Sequence, residues 1–260
     1  MNREDAPTPG MIDLHCHLPF GVSDGPECIE DSRRMLKCAA ESGVAHITAV
    51  AHYGKYFSEV CRAVEELRAD AEKLGITLHP AFEYDYLHLE SMNLDELRFI
   101  GPESRYILLD FNRERIPYAA PMRLFELAER DVGIIIVHPE KLFGRSALPV
   151  LKQFAEGSIA LQINAMSLLP ESPSHVRKMA RTLLDKGLVH AVASDAHRPD
   201  GHRRYVMREA RKIVSAAYGN ALAAQLFEEN PARMLKNLPP LDAPEFPNWW
   251  ERFRRRWTGR

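Results

Sequence analysis

Apolar, strand-sized runs punctuate the chain at regular intervals: MIDLH from Met11, HITAVA from His46, ITLHPAF from Ile76, YILLDF from Tyr106, GIIIVH from Gly133, IALQIN from Ile159 and VHAVAS from Val189. Their starts lie 35, 30, 30, 27, 26 and 30 residues apart, about one strand plus one helix each. Nearly unbroken apolar character suits strands buried on both faces, as parallel sheets require. Between them, Ser58–Lys73, Met122–Arg130 and Val176–Lys186 place apolar residues at helical spacing with charges on the opposite face. Gly43, Gly75, Gly133 and Gly187 stand where these helices should stop, since glycine accepts the left-handed conformation that ends a helix. Seven such units without a low-complexity linker predict an α/β fold, one closed or nearly closed parallel barrel over residues 1–240. Residues 241–260 differ in composition and read as a tail.

Composition narrows the function. The chain has 260 residues, 45% of them hydrophobic and 27% charged, so a sizeable core is available. Lys and Arg number 34 against 36 Asp and Glu, a net charge of −2 that provides no basic field for nucleic acid. Cys16, Cys28, Cys38 and Cys61 have no C-x-x-C spacing, so neither a disulfide framework nor a thiolate zinc site is indicated and a reducing compartment fits better. The N-terminus is polar and broken by proline, and no apolar stretch has membrane-spanning length. A soluble, cytoplasmic protein is expected.

The strand ends carry the chemistry. His15 and His17 flank Cys16, and strand alternation puts both imidazoles on one face. The same alternation pairs Asp195 with His197 at the last strand. His52, Glu83, Asp110 and His138 end the strands between, and barrel enzymes keep their active sites at that rim. Imidazoles and carboxylates gathered there repel like charges and lose hydration unless cations pair with them, which predicts a multinuclear metal site.

The ordered set HCH, Ser23-Asp24-Gly25-Pro26, AHY around His52, FEYDY around Glu83, IVHPEK around His138, SDAH and the late Asn230-Pro231 resembles the polymerase-and-histidinol-phosphatase (PHP) superfamily of metal-dependent phosphoesterases. Within it the spacing is most similar to the bacterial capsule-system tyrosine phosphatases of the CpsB/YwqE type. That resemblance implies a distorted seven-stranded (β/α)7 barrel holding three divalent metal ions, manganese by family expectation, with iron or zinc equally suited to an N and O donor set. It implies a first metal on His15, His17, Glu83 and Asp195. Glu83 would bridge to a second, completed by Asp110 and His138, and Asp24, His52 and His197 would hold the third. Two departures stand out: Asp110 replaces the usual Glu, one methylene longer, and Lys141 with His202-Arg203-Arg204 replaces arginines expected at phosphate. Lysine neutralises phosphate without arginine's bidentate fork. Lys141, His202 and Arg203 are therefore the expected catalytic cations, with His202 or Arg203 stabilising the leaving oxygen. The implied reaction is hydrolysis of a phosphomonoester, with the phosphotyrosine tail of a bacterial polysaccharide-biosynthesis tyrosine kinase as partner.

Three rival readings remain in the sequence: a small-molecule phosphatase of the histidinol-phosphatase type, a metal-bound scaffold without turnover, and a cysteine-dependent phosphatase. The last has only the C-x5-R spacing of Cys28 and Arg34, and acidic Glu30 and Asp31 oppose a phosphate loop there. Gln162 and Asn164 end the one strand without a ligand and could hydrogen-bond carboxylates or substrate. Tyr53, Tyr56 and Phe57 could wall an aromatic ring. The tail from Pro244 holds Trp249, Trp250 and Trp257 among Arg252, Arg254, Arg255, Arg256 and Arg260, a composition that suits peripheral contact with an anionic membrane at its inner face.

Overall fold

Residues 10–54, 57–112, 116–142, 147–157 and 159–242 are described by a computed structural model of the chain. Tyr56 and the Trp/Arg-rich tail lie outside the described residues. Seven parallel strands form one sheet in strict chain order: β1 (Met11–Cys16), β2 (Val44–His52), β3 (Thr77–Asp85), β4 (Tyr106–Asp110), β5 (Gly133–Val137), β6 (Ala160–Asn164) and β7 (Ala191–Ala193). The last strand returns to the first through His17 N–H to Ala196 O (2.9 Å) and Asp195 N–H to His15 O (2.8 Å), so the barrel nearly closes.

Helices α1 (Ile29–Ser42), α2 (Phe57–Lys73), α3 (Tyr86–Ser91), α4 (Ala120–Glu129), α5 (Leu148–Glu156), α6 (Ser174–Asp185) and α7 (Met207–Tyr218) surround it. After them come α8 (Asn220–Ala224), a π-turn and α9 (Asn230–Leu235). Gly43 (φ 85°), Gly75 (φ 73°) and Gly187 (φ 67°) take the left-handed backbone that ends a helix. Gly133 does not. Asp131 (φ 61°) makes that turn instead, and Gly133 opens β5 because the Tyr106 ring leaves no room there for a Cβ.

Two apolar clusters divide the core. The larger lies between strands and helices, with Ile134 and Ile136 of β5 among its members. The smaller fills the barrel interior, where Ile12, Leu14, Val50, Ala81, Leu108, Ile135, Val137, Ala160 and Ala191 meet Ile100 and Met234 at the N-terminal end. Strand alternation explains which residues reach the rim. His52, Glu83, Asp110, Gln162 and Asn164 each share the parity of an interior residue on their own strand, so their side chains continue the interior column upward.

Parity alone would turn His15, His17 and His138 outward. In β1 the register shifts between Asp13 and Cys16, three residues opposing two of β2, and this bulge re-aims the following side chains. At β5, His138 adopts a left-handed backbone (φ 37°, ψ 47°), an uncommon state for a residue with a Cβ, one that buried surroundings must hold in place. Asp195 (φ 49°) does the same beyond β7, so its pairing with His197 arises from a turn rather than from strand alternation.

Candidate metal centre

Nine side chains from six strand ends and two loops meet at the C-terminal rim, and Glu83 lies at their centre. Its Oε2 is 3.1 Å from His17 Nε2, 3.1 Å from His52 Nδ1 and 3.4 Å from His15 Nε2, while Oε1 is 3.0 Å from His138 Nε2. The donor atoms fall into three groups: His15, His17 and Glu83; Glu83, Asp110 and His138; and His17, Asp24, His52 and His197. Asp195 Oδ1 stands 3.6 Å from His15 Nε2 and 3.7 Å from His17 Nε2, on the edge of the first group. Asp110 Oδ1 reaches 3.6 Å from His138 Nδ1. Asp24 lies 3.4 Å from His52 and 3.3 Å from His197.

The donor set fits divalent cations. His15 and His17 bring two Nε2 atoms to 3.1 Å, a contact between like donors. Glu83 Oε2, with three ring nitrogens around it, makes no aligned hydrogen bond, and His17 Nδ1 is also left without one. Buried polar atoms are normally paired, and an ion between converging lone pairs would satisfy them together.

Side chains behind the centre fix the imidazole tautomers. Asp195 Oδ2 can only accept, and Asn164 Nδ2 donates to it. Asn164 Oδ1 then accepts from Gln162 Nε2 at 3.0 Å, which turns Gln162 Oε1 toward His15 Nδ1, also at 3.0 Å. Nδ1 therefore carries the proton of a neutral His15, leaving the Nε2 lone pair facing Glu83 and His17. His197 is set the same way by Asp195 O, 2.9 Å from its Nδ1.

Electrostatics follow from this crowding. Burial opposes a charge on His15, yet Glu83 and Asp195 carry it up to about 9. Burial opposes His52 as well, and Asp24 and Glu83 carry it up to about 10. Burial and the neighbouring His197 push His17 down to about 3. Glu83 and Asp195 are held well below the carboxylate range against their burial, chiefly by His15 for Glu83 and by Lys141 for Asp195. Asp110 moves the other way, raised by burial and by Glu83.

Of the expected cations, Lys141 donates from Nζ to Asp195 Oδ2 at 2.8 Å. Arg203 donates to Asp24 Oδ2 at 2.7 Å and to His197 Nε2. His202 is exposed and near Glu171, and among the described residues it has no hydrogen bond or ion pair to the rim. Arg34 is taken up by Asp31 and Asp200, so the Cys28–Arg34 spacing forms no phosphate loop.

Sequence reasoning missed three supporting residues. Asp13, buried in β1, accepts from Ser194 N–H (2.9 Å) and His15 N–H (3.2 Å) and so ties β7 to β1. Glu140 accepts from Asn164 N–H (2.9 Å) and Ser167 Oγ–H (2.6 Å). Arg198 donates to the carbonyls of Asp24 and Gly25. A carboxylate inside the apolar run MIDLH was the available signal for Asp13.

A parallel β/α barrel whose C-terminal rim carries three histidine–carboxylate groups able to hold metal ions is thus the class that fold and site define. The chain belongs to the capsular polysaccharide synthesis CpsB/CapC family, whose model matches residues 11–236. It is 32% identical over 197 residues to the putative tyrosine-protein phosphatase CapC of Staphylococcus aureus, covering 72% of this chain and 77% of that protein. It is 27% identical to the tyrosine-protein phosphatase CpsB of Streptococcus pneumoniae, covering 86% and 98%. Among solved structures it matches the one reported for YwqE from Bacillus subtilis and CpsB from Streptococcus pneumoniae, described as unique metal-dependent tyrosine phosphatases. That match has a TM-score of 0.78 and 25% identity, covering 91% of this chain and 99% of that one.

Proposed function

We propose that this chain is a metal-dependent protein-tyrosine phosphatase, acting on a phosphotyrosine-bearing segment of a capsule-system tyrosine kinase in the cytoplasm. The observation that carries the reading is Glu83 Oε2, ringed by three imidazole nitrogens at 3.1–3.4 Å without an aligned hydrogen bond. The relatives named as tyrosine-protein phosphatases over most of their length support it. His15, His17, Glu83 and Asp195 hold one ion, Glu83 with Asp110 and His138 a second, and Asp24, His52 and His197 a third, manganese being the preferred metal. Bound ions supply Lewis-acid charge and lower the pKa of water toward neutrality.

The chain's own residues do the rest. Lys141 and Arg203 present N–H donors beside Asp195 and Asp24, where phosphoryl oxygens would arrive. Asn164 and Gln162 keep Asp195 and His15 in their coordinating orientations. A phenolate leaving group, with a pKa of about 10, needs little protonation. The barrel over 1–240 acts as one domain, with 241–260 as an appended tail.

Hydrolysis of a phosphotyrosyl peptide should vanish on chelation and return with Mn, and both His17→Ala and Asp195→Ala should abolish it. Full turnover by metal-free protein would overturn the reading. A panel with histidinol phosphate and nucleotides separates the small-molecule alternative, which predicts faster hydrolysis of those esters than of the peptide.

A further inference from the structure

We propose that a cavity on one side of the rim seats the aromatic ring of an aryl phosphate, with Tyr53 as its flat wall and His88 at its outer edge. This rests on the phosphatase reading above and adds where selectivity for an aryl ester comes from. The cavity has a volume of about 280 Å³, and His52, Glu83 and Asp110 line it as well as the metal centre. Its remaining lining includes Tyr53, His88 and Asn112. An apolar cavity of roughly 150 Å³ already accepts benzene, so the space is ample for one ring.

Tyr53 is built as a fixed wall. Its N–H donates to Glu83 O at 2.8 Å, which ties the residue to the strand carrying the central carboxylate. Its ring lies 5.2 Å from Tyr84 at 32°, 5.6 Å from Phe82 at 86° and 5.7 Å from His88 at 61°. The side chain remains half-buried, with a surface on the cavity. A ring held on several edges loses little freedom when another ring docks on it.

The charges choose which end of the substrate sits here. Asp85, a carboxylate outside the metal-ligand set, lines the cavity, whereas Lys141 and Arg203 meet the rim at Asp195 and Asp24. A carboxylate at that position repels a phosphate dianion, yet it suits the electropositive edge of an aromatic ring. The phosphoryl group therefore belongs at the cationic side of the rim, and the leaving group belongs in the cavity.

Binding of phenylphosphonate and cyclohexylphosphonate to the Mn-loaded protein, followed by titration calorimetry, tests the seat without turnover. Their charge is equal and their bulk similar, and only one has a π-face. The phenyl compound should bind about three- to tenfold more tightly, the scale of one aromatic pair. Tyr53→Leu should erase that preference and Tyr53→Phe keep it, with circular dichroism confirming that both variants fold. In parallel, the ratio of kcat/KM for phenyl phosphate to that for phosphoserine should fall by the same factor in Tyr53→Leu. Leaving-group reactivity cancels when that ratio is compared between variant and parent. Equal affinity for the two phosphonates in the parent, a preference retained in Tyr53→Leu, or no binding of either overturns the seat. Aryl preference in binding with no ester hydrolysed would uphold the seat while ending the phosphatase reading.

Discussion

Strands β2 and β3 each carry titratable residues at both ends of the barrel, on the same face. At the rim they deliver His52 and Glu83; near their beginnings they deliver His46 and His79, whose rings stack with centroids 5.6 Å apart and nitrogens at 3.3 Å. His52 rises to about 10 because Asp24 and Glu83 outweigh its burial. His79 falls to about 4 because burial is reinforced by His46 and Arg68. The charge acting on His46 is Lys236, again a cation. Paired imidazoles are therefore common to both ends, and it is the carboxylates that make one of them a place for cations. Histidine density by itself identifies nothing.

The largest expected break in this contrast is Glu83→Gln. Glu83 belongs to two of the three donor groups through its two oxygens, so removing its charge should lower phosphotyrosyl-peptide hydrolysis by ~10³-fold or more, the consequence of losing several kcal/mol of charge stabilisation. His79→Phe, at the other end of the same strand, should stay within about twofold. Steady-state rates under saturating Mn decide it, and a Glu83→Gln variant within tenfold of the parent would show that the rim does not depend on its central carboxylate.

That contrast also separates what the sequence disclosed from what it concealed. The rim residues other than Asp24 were readable because they stand at or just beyond the end of an apolar run, and the runs fall within a few residues of the observed strands. Asp24, in the turn after β1, came only from the family resemblance. Which residues lie across the barrel from one another was not readable. The order Asp195–Asn164–Gln162–His15 links β7, β6 and β1 through side chains, and spacing along a chain carries no information about such neighbours. Nor does a periodic pattern reveal the extra residue in β1 or the left-handed turn at His138, though both are needed to bring their imidazoles inside. His46 and His52 look alike in sequence, since the acids that distinguish them come from elsewhere in the chain.

A second prediction concerns stability. Ligand present at a hundred times its Kd adds about 2.7 kcal/mol to the folded state, so Mn should raise the melting temperature measurably and a chelator should reverse the rise. The increment should shrink in Glu83→Gln and, less, in Asp195→Asn while persisting in full in His79→Phe. A metal-induced shift undiminished by loss of both carboxylates would move the binding site away from the rim.

The smallest effect is expected at the N-terminal end and runs with pH. His190 is buried just before β7, and burial holds it down to about 4, with Asp242 opposing. Its Nδ1 accepts from Leu161 N–H at 3.1 Å, a bond that requires that nitrogen unprotonated. Below about pH 6.5 the unfolded chain takes up a proton that the folded chain refuses until pH approaches 4. Stability from this residue is thus fully present above the ordinary histidine pKa and is lost as pH falls through that window. Between pH 7.5 and 5.5 one such group costs about 1 kcal/mol. His190→Asn removes the titration and keeps an acceptor for Leu161, so denaturation curves of the metal-free proteins should show a shallower decline in the variant. Subtracting variant from parent cancels the rim, which is far from His190 and common to both. Parallel declines would mean that His190 is protonated as readily in the folded chain as in the unfolded one, and the electrostatic contrast between the two ends would then rest on His46 and His79 alone.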